Sequence, residues 1–472
     1  MTPPPVQRTR PYNCPPCLES VWVLARFRHH PSHANEPHRH KRVPAVNSRL
    51  GLWSATALVV ASMIGTGVFT TSGFLLADLG SRWLVVAAWL VGGVIAMLGA
   101  SCYGALARRI PESGGEYLFL SRTLHPAAGY LAGWVSLLAG FSAPLAAAAL
   151  GFGEYARAWL GQTSPAAIGT ALILLVTAAH AWRLRLGTIT QNLAVAAKIA
   201  FLGAFLLLGA FQLRGAETFS DLAPASALSA FAVSLVWISF SYSGWNAAIY
   251  LSSEIRDPER NVPRALLLGT AAVTLLYVAL NALIVFAAPP AALAGQLDVA
   301  RVAARHLGGA PWAHAITALV TLALATSVSS LTMVGPRVCA KMAADGCLPR
   351  WLRTTRETPT AAILFQSTLA IALLWTASFK ALLTCIGFIL SLSTAATVLG
   401  LIRLRRREGP ALRVPGWPWA PALFIAFVLF TTAFTIHRQP RESLIGLATL
   451  AVGLAAWRLS ENARRRKSTQ PG

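Results

Sequence analysis

The sequence predicts an all-α polytopic membrane protein of 12 transmembrane helices, with helices 1 and 6 broken near mid-span. Three observations lead to this class. Of 472 residues, 55% are hydrophobic and only 12% are charged, with mean hydropathy +0.56; a soluble domain carries about 25% charged residues. Apolar runs of about 20 residues, long enough to cross hydrocarbon, recur along the chain. The basic residues also lie to one side. Of 40 Lys and Arg, 31 fall in the two termini and alternate loops, eight fall in the opposite loops, and Lys198 is inside a span. That is the positive-inside pattern, with both termini cytoplasmic. The net charge of +23 is thus topological, and no nucleic-acid partner is expected.

Residues 1–48 are rich in Pro, His and Arg, contain no long apolar run, and read as a disordered cytoplasmic tail, not a signal peptide. Cys14 and Cys17, followed by His29, His30 and His33, approach a zinc-ligand spacing. Almost no apolar pattern surrounds them for a finger to pack on, so incidental cysteines and histidines are the favoured reading. Span one then takes residues 50–77 and span two 83–106. The polar loop Pro111-Glu112-Ser113-Gly114-Gly115-Glu116-Tyr117 follows on the inner side. Spans three, four and five cover 126–155, 166–182 and 190–213, and the sixth apolar run covers 227–252. A charged inner loop ends in Pro263, placed to start span seven at 264–288. Spans eight to twelve are 312–336, 360–377, 381–402, 418–436 and 442–457. No cysteine falls in an outer loop, so no structural disulfide is expected there.

The two interruptions carry the chemistry. Span one contains Ser62, Ile64, Gly65, Thr66 and Gly67 at its middle; span six contains Phe240, Ser241, Tyr242, Ser243, Gly244 and Asn246. Serine, asparagine and glycine weaken or compete with helical bonding. In hydrocarbon, non-helical backbone survives only where protein buries it or where it lines a cavity. A midplane cavity walled by free amides and carbonyls follows, the design of a carrier built from inverted repeats. Amides at the start of the half-helix near Gly65, Thr66 and Gly67 would bind a carboxylate at the positive end of a helix dipole. Carbonyls of residues 62–64 and 240–243 would receive an ammonium. A small-residue packing motif is the competing explanation for Gly65 and Gly67; the matching break in span six favours a site.

Lys198 lies about 12 Å from the inner end of span five, at the usual rise per residue, beyond easy snorkelling. Intramembrane cations of this kind are functional candidates, the alternative being a snorkelled lysine nearer the interface. Ser327, Ser329 and Ser330 in span eight either face a cation site or bond their own helix. Ser142 and Pro144 in span three are candidate cavity lining. Glu254, Asp257 and Arg337 are candidates for inner-loop ion pairs. No nucleophile–base pair, metal motif or phosphate loop occurs in the spans, so neither an enzyme nor a cofactor is expected.

Taken in order, Ile64-Gly65-Thr66-Gly67-Val68-Phe69, the 111–117 loop, Gln191 and Asn192 with Lys198, residues 240–246, the Glu254, Asp257, Pro258, Asn261, Val262, Pro263, Arg264 loop, and Arg337 with Met342-Ala343-Ala344-Asp345-Gly346 form a specific set. The set resembles the amino acid–polyamine–organocation (APC) transporters, and is most similar to the L-type neutral amino acid transporters and their bacterial relatives. The resemblance covers about residues 50–405. It implies a five-plus-five inverted-repeat (LeuT-like) fold: a first repeat at 49–213, a second at 226–403, a peripheral pair of spans at 417–458 and a basic cytoplasmic tail at 459–472. It implies that Phe240 is an aromatic lid, and that the Lys198 ammonium fills the place where sodium-coupled relatives bind sodium. Trp245 and Asn246 are less tightly tied to ligand, since Asn246 also has the option of bonding across helices. Two departures stand out. Ala344 replaces an arginine common in the family, and no cysteine occurs in 157–164, so no disulfide-linked heavy chain is expected.

The reading is a secondary transporter of neutral L-amino acids in the plasma (inner) membrane, sodium-independent, working by proton symport or exchange through alternating access. Neutral substrates are favoured because no acidic side chain is evident beside either break. The alternatives are a cationic amino acid or polyamine carrier, for which Glu154 is the nearest carboxylate, and a non-transporting amino-acid sensor. Oligomeric state is left open.

Overall fold

In the computed structural model, residues 50–181, 188–213, 220–222, 227–344, 348–353 and 359–468 are described. The tail with Cys14, Cys17, His29, His30 and His33 lies outside the described residues, as do Asp345 and Gly346. The described chain is helical, with one isolated parallel β-bridge between Leu50 and Ile255.

The helices run in sequence order as α1 (Leu52–Met63), α2 (Gly67–Leu79), α3 (Arg82–Arg109), α4 (Gly115–Thr123), α5 (Pro126–Val135), α6 (Ala143–Leu160), α7 (Pro165–Ala181) and α8 (Thr188–Leu213). They continue as α9 (Ala227–Ser241), α10 (Pro258–Phe286), α11 (Pro290–Leu293), α12 (Val299–Ala344), α13 (Thr360–Thr376), α14 (Phe379–Glu408), α15 (Trp419–Arg438) and α16 (Pro440–Ser468). Eight stretches among the described residues are long and apolar enough to cross a bilayer, and the bent pair α1–α2 makes a ninth. Three shorter apolar helices, α7, most of α9 and α13, have 10–17 residues each.

Local chemistry explains the irregular points. At Ile64 the backbone leaves the helix (φ −73°, ψ 88°), and α2 restarts at a 45° bend. In the sixth apolar run α9 stops at Ser241, Gly244 turns the chain at φ +100°, and a 3-10 helix covers Ala247–Glu254. Only glycine takes that φ cheaply. Between α5 and α6 a π-helical stretch, Ser136–Ser142, widens the third span, where the Ser142 hydroxyl donates to the Leu137 carbonyl at 2.8 Å. Nothing in the sequence pattern announced it. Pro263 does not start the seventh span as expected. The helix begins at Pro258, behind Asp257 in the left-handed region (φ 45°), and Pro263 lies inside it.

Close helix packing rests on small residues. A Cβ on Gly93 of α3 would lie 2.2 Å from Thr274 Cγ2 of α10, and one on Gly104 would lie 3.0 Å from Pro263. With no side chains at those points, α3 and α10 pack along their lengths. The Leu50–Ile255 bridge is held by Leu50 N–H to Glu254 O (2.8 Å) and Arg256 N–H to Leu50 O (2.9 Å). It ties the start of the first broken span to the end of the sixth.

Candidate functional site

The two breaks face each other. A Cβ on Gly67 would lie 2.1 Å from Ser241 Oγ, and one on Gly244 would lie 2.6 Å from the Ser62 carbonyl oxygen. Thr71 and Ser241 share a hydroxyl hydrogen bond at 3.2 Å. Glycine at 67 is thus required by the close approach of Ser241 on α9, and glycine at 244 by both φ and contact with α1. Gly65 differs. Its hypothetical Cβ meets nothing nearer than Met63 O at 3.8 Å, so that side of the break faces open space. Ser62 is exposed, and Gly65, Ser243, Gly244 and Asn246 are half-buried.

The carbonyls of the first break are not all free, which corrects one expectation. Tyr277 of α10 donates its hydroxyl to Met63 O at 2.6 Å, and Lys198 of α8 donates its ammonium to Ile64 O at 2.7 Å. Of the three carbonyls at 62–64, that of Ser62 meets no such side-chain donor among the described residues, and Gly244 packs against it. In the sixth span, Phe240 O accepts the Ser243 N–H at 2.9 Å. The donors are better placed. Thr66 caps α2 without any side-chain hydrogen bond to the helix start; the Phe69 N–H donates to Thr66 O at 3.1 Å, and the N–H groups before it lie at the positive end of the dipole.

Lys198 is 3% exposed, so the snorkelling alternative fails. Phe240 is buried in the main apolar core. Tyr242 points into an aromatic cluster instead of the open space: its hydroxyl donates to Trp89 O at 3.0 Å and its ring lies 5.1 Å from that of Tyr277. Ser327 bonds its own helix at Ala323 O, and Ser329 pairs with His180 at 3.0 Å. Glu154 pairs with Arg157 at 3.2 Å at the end of α6. Glu254 lends its carbonyl to Leu50, Asp257 accepts the Arg260 and Asn261 N–H groups through its carbonyl, and the Arg337 side chain is outside the described set.

A buried carboxylate does lie beside the sixth break, against expectation. Glu116, on α4, accepts from Tyr103 Oη at 2.7 Å, from Asn246 Nδ2 at 3.1 Å and from Ser393 Oγ at 2.8 Å. Asn246 therefore spends its amide across helices. The linear sequence hid this because Glu116 sits 130 residues from Asn246; the only signal was its place in a glycine-flanked loop. Tyr277 was missed for the same reason, 214 residues from the carbonyl it caps.

Several further contacts tie α2 to its neighbours. Lys380 pairs with Asp78 at 3.2 Å and stands 4.6 Å over the Trp237 ring, joining α2, α14 and α9. Gly295 N–H donates to Gly73 O at 2.8 Å, and Tyr155 Oη donates to Phe69 O at 2.7 Å.

The family model for amino acid permeases matches residues 50–454, a range that contains both breaks, Lys198 and the Glu116 cluster. The chain belongs to the amino acid permease family. Relatives agree along most of its length. Large neutral amino acids transporter small subunit 2 of Rattus norvegicus is 30% identical over 432 residues, covering 88% of this chain and 80% of the relative. The Asc-type amino acid transporter 1 of Mus musculus is 27% identical over 430 residues (87% and 80%), and the b(0,+)-type amino acid transporter 1 of Mus musculus is 28% identical over 414 residues (84% and 85%). The permease is accordingly an integral membrane protein of the APC superfamily with a transporter's ancestry, not an enzyme's.

Proposed function

We propose that this permease is a sodium-independent secondary transporter of neutral L-amino acids, working by exchange or proton symport through alternating access. The observation that carries the reading is the pair of facing breaks, with an uncapped helix start and open space at Gly65. The substrate carboxylate sits on the amides near Gly65, Thr66 and Gly67; the ammonium turns toward Ser62 O and the carbonyls between Ser241 and Ser243. Phe240 acts as the lid. The names of the three relatives support amino acids as cargo, and the first names large neutral ones. Glu116 does not argue for a cationic cargo, because its oxygens already accept three hydrogen bonds.

Lys198 supports sodium independence. A buried ammonium on the carbonyl of the first break supplies a fixed positive charge where a mobile cation would otherwise neutralise the same dipoles. The fold reading is 12 spans: nine long or bent crossings plus the three shorter helices, with repeats at 49–213 and 226–403, spans eleven and twelve peripheral, and both termini cytoplasmic. The 1–48 tail is a cytoplasmic appendage. With no cysteine in 157–164, any association with a heavy chain would be non-covalent at that loop.

Uptake of radiolabelled leucine into proteoliposomes tests this, with vesicles empty or preloaded, with and without sodium, and with and without an inward proton gradient. Sodium-free uptake driven by preloaded amino acid or by the proton gradient is expected. A strict sodium requirement overturns the Lys198 argument.

A further inference from the structure

Glu116 is 5% exposed and lies in the first turn of the short helix α4 on the basic side, walled by α3, α14 and the turn of the sixth span. Its carboxylate draws together three elements that are distant in sequence, through Tyr103 of α3, Asn246 at the break and Ser393 of α14. Among the described residues it forms no ion pair. The Tyr103 phenol touches it and the Tyr250 ring packs on the neighbouring Gly115. The charged groups of the same elements are engaged elsewhere or at the surface. Arg109 pairs with Glu408, Arg122 with Glu112, Arg403 reaches Leu124 O and Arg405 reaches Gly409 O. Arg108 and Glu254 are exposed, and His125 accepts the Ala127 N–H at the start of α5.

A buried carboxylate without a cation is an expensive group to keep ionised. Burial raises the Glu116 carboxyl above its ordinary value, and the hydrogen bonds from Tyr103, Ser393 and Asn246 pull it back only in part. The hydrogen-bond pattern also accommodates a proton. Among the described residues Oε1 accepts from two groups and Oε2 from the Ser393 hydroxyl alone, which can turn from donor to acceptor. A proton on Oε2 therefore breaks no contact in the cluster.

We propose that Glu116 is a proton-binding site that latches the turn of the sixth span to α14 when occupied. This rests on the transport reading above, since rocking the broken spans against α14 must open the cluster. In the closed arrangement burial makes the site bind a proton more tightly than an ordinary carboxyl does; once opened it meets water, and its affinity returns to the ordinary value, about 4.3. The sign follows. Below both affinities the proton is bound in both arrangements and makes no difference. As pH on the basic side rises, the open form loses its proton first, so opening is favoured; acid on that side favours the latch. The closed-to-open ratio changes up to about tenfold for each unit separating the two affinities.

The test uses full-length protein in proteoliposomes, following leucine exchange while pH is stepped on the basic side alone, for wild type, Glu116→Gln and Tyr103→Phe. The wild-type rate should fall on acidification. Glu116→Gln, which mimics the protonated group, should lose that dependence. Tyr103→Phe removes a hydrogen bond that the carboxylate accepts more strongly than the protonated group does, so its midpoint should move to higher pH. Infrared titration of the same samples gives a readout independent of transport: the protonated-carboxyl C=O band of Glu116 should vanish in Glu116→Gln. A wild-type pH profile in Glu116→Gln, or an unmoved midpoint in Tyr103→Phe, overturns the proposal. Absence of exchange by wild type at every pH would refute the transport reading, while the infrared band alone would still decide whether Glu116 takes up a proton.

Discussion

Gly65 and Gly67 are two residues apart, yet the structure gives their alanine variants opposite consequences. A Cβ at Gly67 would sit 2.1, 2.6 and 2.8 Å from Ser241 Oγ, Cβ and Cα. Ordinary carbon contacts are about 3.5–4.0 Å, so α2 and α9 must separate by roughly 1 Å, and overpacking of this kind costs about 1–3 kcal/mol. Gly67→Ala should lower the thermal midpoint in detergent and slow transport, and Ser241→Gly should restore part of both. At Gly65 the new methyl meets only Met63 O at 3.8 Å. Folding should be unaffected, or gain a few tenths of a kcal/mol to about 1 kcal/mol from a stiffer unfolded chain. The methyl does occupy the space through which a carboxylate reaches the amides. Losing one hydrogen bond to a charged group costs about 1.5–3 kcal/mol, a factor of about 10 to 150 in affinity. The assay is leucine exchange kinetics beside a melting curve. If Gly65→Ala keeps the wild-type KM, those amides do not hold substrate; if it melts as early as Gly67→Ala, the open space is not there.

Other outcomes follow from single contacts. Lys198→Met leaves the Ile64 carbonyl buried without its donor, at a cost of about 1–3 kcal/mol; the melting temperature should fall, and proton-driven uptake should be lost if Lys198 couples transport. Asp78→Asn breaks a partly exposed ion pair worth about 0–1 kcal/mol, so stability should barely change, while a cysteine introduced near Gly73 should label faster from the side of Lys380. Gly244→Ala combines φ +100° with a 2.6 Å approach to Ser62 O; backbone strain of about 1–3 kcal/mol should lower stability and abolish exchange together, as followed by melting and uptake.

Much of the fold was legible in order of residues. Span positions needed only hydropathy and length, and both breaks were visible because small polar residues interrupt apolar runs, an expensive thing in hydrocarbon. The exceptions have local causes. Pro263 read as a helix start, but Asp257 and Pro258 supply a better one upstream. The π-helical Ser136–Ser142 stretch has no composition that marks it, because its extra residue per turn is set by what packs on either side. For the site, Lys198 was legible as a charge at the wrong depth; Tyr277 and Trp89 were not, since a tyrosine or a tryptophan in a span has many ordinary uses.

By itself, the sequence determined the class, the two interruptions and the asymmetry of charge, all of which depend on residue type and spacing along one dimension. Tertiary structure alone decided which carbonyls are already taken, by Tyr277 and Lys198, and which glycine is packed and which is open. It also decided that Glu116, which in sequence belongs to a surface loop, is buried against Tyr103, Asn246 and Ser393. Hydrogen bonds and steric contacts act over about 3–4 Å, and the groups that make them here, Tyr103 with Glu116 aside, are brought from 130 to 277 residues apart by helix packing, a distance that no local pattern records.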